Sequence, residues 1–183
     1  MQWITSSHVH LDRVATPWLI SRFVDPDAEF VFADDASAIA DWPSATPIGF
    51  RGVPPISAHD TDGTAFAKAL AAYSLTDPAL DRMERIVAAG IRHALSLPTP
   101  DHETADEALL GAALDKLGLG LGVQLDDPDH LLCARPLYDA VYTVCQIACL
   151  DETTREQIPK TAARVDYLRN ALRLGSTPAE MWG

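Results

Sequence analysis

The chain has 183 residues, 48% hydrophobic and 22% charged, which is enough for one domain with an ordinary core and argues against disorder over most of its length. Its net charge of −12 opposes a phosphate backbone or an anionic membrane surface, and no run of Lys or Arg offsets it, so neither nucleic acid nor membrane is expected as a direct partner. No apolar run reaches the roughly 20 residues of a membrane span. The opening MQWITSSHVH lacks the charged-then-apolar order of a secretory signal. Three cysteines, Cys133, Cys145 and Cys149, cannot complete a disulfide framework. Cys145 and Cys149 are four apart on a predicted helix, which suits core packing and a reducing cytoplasm.

In chain order, Trp3 and Ile4 form a short apolar start. Thr16 then Pro17 reads as an N-cap and first helical residue, opening a helix to about Val24 that Asp25-Pro26-Asp27 ends. Glu29 to Phe32 has the aromatic and β-branched content of a strand. A short helix is expected over 34–41, and a strand at Ile48-Gly49-Phe50 within the proline-rich stretch 42–55. Helical periodicity begins at Phe66. Thr76-Asp77-Pro78 starts a helix in which Leu80, Met83, Val87 and Ile91 share a stripe. Leu110, Ala113, Leu114 and Leu117 repeat that spacing before a glycine-broken GLGLG. Asp126-Asp127-Pro128 starts another helix, with Tyr138, Val141, Cys145 and Ala148 on one face. A C-terminal helix is predicted over 153–174, stopping near Gly175, with a loosely held ending at 176–183. The fold class is therefore mostly α, or α+β with a few short strands near the N-terminus, in a single compact domain over residues 1–183.

Polar oddities crowd the first 60 residues. Trp18 and Arg22 are four apart on one helical face, where an indole and a guanidinium can stack and leave the fork free for an oxyanion. The same residues also suit a structural arginine paired with Asp12 or Asp25 beside a core tryptophan. Arg13 adds a second cation. His59, followed by Asp60 and Asp62 in a loop with Gly63, offers nitrogen and oxygen ligands to a divalent ion, and equally good turn chemistry. His8 and His10 alternate and would share a face of an extended segment. Sequence signatures for zinc-cysteine, serine-hydrolase and nucleotide chemistry are missing from the chain.

The run Asp12, Arg13, Ala15, Pro17, Trp18, Leu19, Ile20, Arg22, Phe23, Asp25, Pro26, Ala28 and Phe30 resembles the opening of the ChrB-type chromate-resistance domain. His59 and Phe66 keep that family's seven-residue spacing, with Thr61 and Thr64 where the family has Gly and Cys. Leu137 to Cys145 also looks like a family segment, so the resemblance covers about 10–146. It implies one site built from Arg13, Trp18, Arg22, Glu29 and His59. Arg13, Trp18 and Arg22 would hold a small anionic ligand. His59, Glu29 and Asp60 would hold a divalent transition metal such as zinc, iron or manganese, an open position of which could take the anion. The alternative is a metal-dependent lyase or hydrolase, with Arg13 and Arg22 as substrate clamps and Tyr138 or Asp139 as acid or base. A homo-oligomer is compatible with either reading.

Overall fold

The first residues form the centre of the molecule. β1 (Gln2–Ser6) is flanked by β2 (Glu29–Ala33) and β3 (Thr46–Ile48) in an all-parallel sheet of order β2-β1-β3. Trp3, Ile4 and Thr5 are fully buried, the expected state of a central parallel strand covered on both faces. The computed structural model describes residues 1–173. The expected stop near Gly175 and the ending at 176–183 lie outside the described residues.

β1 leads into α1 (Asp12–Phe23), which is buried from Val14 through Ile20 and so has no solvated face over that stretch. The helix begins four residues before the Thr-Pro signal. Thr16 is buried and donates its hydroxyl to Asp12 Oδ1 at 3.3 Å instead of capping. Pro17 sits inside the helix, where its missing N–H forfeits one early bond and apolar burial on both sides outweighs that loss. A 3₁₀ turn, Ala36–Asp41, follows β2 and is capped by Asp35. β3 ends at Ile48, one residue before Gly49 turns into the left-handed region at φ +72°.

The helical layer consists of α2 (Ala65–Ala72), α3 (Pro78–Ala94), α4 (Ala105–Gln124) and α5 (Asp127–Ala148). Asp77, Thr104 and Asp126 cap the last three, each carboxylate or hydroxyl accepting from an otherwise unpartnered amide. The GLGLG stretch is continuous helix, contrary to the sequence expectation. Two of its glycines serve packing: a Cβ on Gly118 would stand 3.0 Å from the His10 ring, and one on Gly122 would touch His130. The buried stripe of α4 is Glu107, Gly111, Leu114, Asp115 and Gly118, while Leu109, Leu117, Leu119 and Val123 are exposed. The segment expected as one helix over 153–174 contains two, α6 (Glu152–Glu156) and α7 (Arg164–Ala171). The arrangement is α+β, mostly helical, in a single compact domain. No helix among the described residues is long and apolar enough to cross a membrane.

Candidate functional site

The chain leaves β1 to one side, forms β2, and returns to the other side for β3. In parallel sheets the crevice outside the carboxyl ends of the strands, at such a reversal, is where ligands are placed. A cavity of about 500 Å³ lies there. Ser6 from the end of β1, Arg13 from the first turn of α1, Asp34 and Asp35 after β2, and Gly49, Phe50 and Arg51 after β3 line it. His10 and His59 line it from two loops, and Ile91, Ala94 and Leu95 from the end of α3.

Between β1 and α1 the backbone is unusual. His8 and Leu11 lie at φ +59° and +45°, a region that costs a non-glycine residue about 1–3 kcal/mol and persists only where neighbours enforce it. Here the Asp127 carboxylate accepts from the amides of His8 and Val9 at 2.9 and 2.8 Å. The Tyr138 hydroxyl donates to the Leu11 carbonyl at 3.1 Å. Burial, and secondarily the charge of Asp12, raise the Tyr138 pKa well above its ordinary value, so this phenol remains a donor.

That loop presents Arg13. Its Nη1 donates to the Ser7 carbonyl at 2.8 Å and to Ser6 Oγ at 3.3 Å, and among the described residues no carboxylate lies within 4 Å of it. Burial lowers its pKa, with the charges of Asp127 and Asp12 opposing; a guanidinium still keeps its proton. Next to it, Asp12 is buried and accepts from the amides of Ala65 and Phe66 at 2.7 and 3.0 Å, tying α1 to the start of α2. Burial pushes the Asp12 carboxyl up, and the two amides and the nearby His59 pull it back.

The residues singled out in the sequence occupy three places. Arg13 and His59 line the cavity. Trp18 and Arg22 turn away from it: the indole Nε1 and the Arg22 Nε both donate to Asp139 Oδ1, at 2.9 and 2.8 Å, between α1 and α5. Tyr138 lies beside them with its hydroxyl committed to Leu11. Glu29 opens β2 opposite Gln2, four strand steps and so about 13 Å from the carboxyl edge of the sheet. Asp60 pairs with Lys68 at 2.7 Å and accepts from the Asp62 amide; these bonds hold its carboxyl below the usual range. His59 and Asp60 also line a second cavity of about 340 Å³, against α3 and the start of α4.

Sequence reasoning missed a group beside the first cavity. His10 Nε2 and His93 Nδ1 lie 2.9 and 2.8 Å from the two oxygens of buried Asp115. Burial would raise the Asp115 pKa, but the two imidazoles hold it below its ordinary value. His8 and His10 part company: His8 is exposed and His10 packs on α4. Nothing in the spacing signals this, because His10 and Asp115 are 105 residues apart. Among the described residues no three His, Cys, Asp or Glu side chains converge on a metal-sized point. In His10–Asp115–His93 the imidazoles and the carboxylate are bonded to one another.

The cavity-lining residues all fall within a segment with known relatives. A family model described as the C-terminal domain of ChrB matches residues 3–145. Protein ChrB of Cupriavidus metallidurans (strain ATCC 43123 / DSM 2839 / NBRC 102507 / CH34) is 34% identical over 119 residues, 63% of this chain. The match covers 34% of that protein, so the chain corresponds to about a third of the length of this curated relative. No solved structure gives a match. With most of its length inside the family match, this chain belongs to the ChrB C-terminal domain family.

Proposed function

We propose that this chain is an anion-binding domain with a role related to chromate resistance, and that Arg13 is the anchor of its ligand. The observation that carries the reading is the state of that guanidinium. It is partly withdrawn from water, fixed by the Ser7 carbonyl and Ser6 Oγ, and faces a cavity without a carboxylate partner among the described residues. A desolvated cation left unpaired is costly. An oxyanion accepting from its remaining donors relieves that cost and forms strong charge-assisted bonds. Arg51 and His59 on the same lining supply further donors. Family membership supports the chromate-related role, since chromate is itself a tetrahedral oxyanion. In this reading Arg22 supports the fold: its partner is Asp139.

Calorimetry with chromate, sulfate and phosphate tests the proposal. Saturable binding is expected with the native chain. Arg13→Ala should weaken it about 10- to 100-fold, the range for losing hydrogen bonds to a charged group. Arg22→Ala should alter stability more than affinity. Absence of binding by every one of these ions, or an Arg13→Ala chain that binds as well as the native one, would sink the reading.

A further inference from the structure

The cavity at Arg13 is far larger than a tetrahedral ion, and part of its wall has the wrong chemistry for one. A five-atom oxyanion needs the space of roughly three waters, about 90 Å³, whereas the cavity measures about 500 Å³. That size belongs to pockets that enclose organic molecules, about 300–1,000 Å³. Arg13 lies where β1 ends and α1 begins, Arg51 follows β3, and His59 comes from the loop before α2. Leu11, Phe50, Ile91, Ala94 and Leu95 make up the apolar part of the lining; the first three show only an edge, and Ala94 and Leu95 are exposed. Leu95 is 53% exposed although it lines the cavity, so apolar area remains there for an occupant to cover. Asp34 and Asp35 stand on the same lining, and their charge opposes a bare dianion free to move within it.

We infer that the site takes an organic anion: one carboxylate, phosphate or sulfonate group on an aliphatic or aromatic body. The charged group sits at Arg13, and the body lies along Ala94 and Leu95 and the edge of Ile91. This rests on the anion-binding reading above and names the class of its ligand. A ligand of that shape satisfies the guanidinium and also removes apolar wall from water, which an inorganic ion cannot do. It also fixes orientation: the charge is held at Arg13, whose guanidinium is tied to Ser6 and Ser7. The second cavity shares His59, Ile91 and Leu95 with the first, so the body has room to extend beyond the space at Arg13.

Calorimetry on the native chain with 1-naphthyl phosphate, phenyl phosphate, inorganic phosphate and chromate decides the matter. The expected order is naphthyl, then phenyl, then the inorganic ions. Naphthyl phosphate should bind about 30-fold more tightly than inorganic phosphate, in keeping with the apolar area of its rings, and with a more negative heat-capacity change. Arg13→Ala should weaken all four. Leu95→Ala, at a partly exposed position where folding is not at stake, should cut the naphthyl-to-inorganic affinity ratio about 5-fold. Inorganic phosphate or chromate binding as tightly as naphthyl phosphate overturns the organic-ligand inference and leaves the anion site standing. A naphthyl affinity indifferent to Arg13→Ala, or no binding by any of the four, removes the anion-binding reading as well.

Discussion

Replacing Glu107 with alanine is expected to destabilise the chain by about 2–3 kcal/mol, the cost of losing its charge-assisted hydrogen bonds and half of a capping box, while the half-exposed Arg85 returns to water. For a domain of this size that is a fall of roughly 4–12 °C in Tm. Glu107 is buried at the first turn of α4. Its Oε1 accepts from Arg85 Nε at 2.7 Å, its Oε2 from the Thr104 amide at 2.9 Å, and its own amide donates to Thr104 Oγ1 at 3.2 Å. One carboxylate thus completes a capping box and ties α4 to α3. Burial alone would raise its pKa, but the Thr104 amide and Arg85 pull it down to about 2 from an ordinary 4.5.

A carboxylate depressed in the folded state stabilises above its unfolded pKa and loses that contribution as pH falls through the folded one. For Glu107 that contribution is present above pH 4.5 and fades between 4.5 and 2. Glu107→Gln keeps the acceptor for Thr104 and removes the titration, so its Tm should fall less steeply across that window. Parallel Tm-versus-pH curves for the two chains would show that the charge is not responsible.

The second large effect comes from one substitution made at two positions of α4. A Cβ on Gly111 would stand 2.5 Å from the Gly90 nitrogen, 2.8 Å from Ala89 Cβ and 2.8 Å from the Ile86 carbonyl oxygen. Two of these neighbours are backbone atoms of α3 and cannot rotate aside. Gly111→Ala therefore forces the helices apart and should cost about 3 kcal/mol by overpacking. Gly120→Ala meets nothing within 4 Å and should stabilise by about 0.5–1 kcal/mol through helix propensity. Chemical denaturation of the two variants should move in opposite directions. A neutral Gly111→Ala would mean that α3 and α4 do not approach as closely as the structure shows.

Much of the helical layer is legible in the sequence because its signals are local. Asp77-Pro78 and Asp126 announce the starts of α3 and α5, and the stripes at Leu80–Ile91 and Tyr138–Cys145 mark their buried faces. Local signals mislead where tertiary packing overrides them. Thr16-Pro17 has the chemistry of a helix start but lies inside α1, because Asp12 is committed to the amides of α2. Of the stripe expected on α4, Leu114 is buried and Leu110 packs against the core, but Leu117 is exposed and Gly111, Asp115 and Gly118 share the buried face, since α3 and His10 come too close there for larger side chains. β1 is nearly invisible, as a short central strand has no polar face to alternate with.

The site was legible in part and for different reasons. Arg13 and His59 stood out as residue types and through the family resemblance, and both reach the cavity. The bond from Arg22 and Trp18 to Asp139 spans 117 and 121 residues, a pairing no window of sequence exposes. Leu11 has no preference for positive φ, so nothing local marks the turn that aims Arg13.

The loop that aims Arg13 is closed from the far end of the chain. Asp127 reaches His8 and Val9 across 119 and 118 residues, and Tyr138 reaches Leu11 across 127. Closing such distances costs chain entropy before any contact repays it. During synthesis the N-terminal segments emerge first, and this loop stays untied until α5 has been made and docked. The turn that aims Arg13 is therefore tied down only after α5 has docked. Fragments and stalled intermediates without α5 lack both ties, so the shape of this turn reports whether the fold has closed as far as that helix.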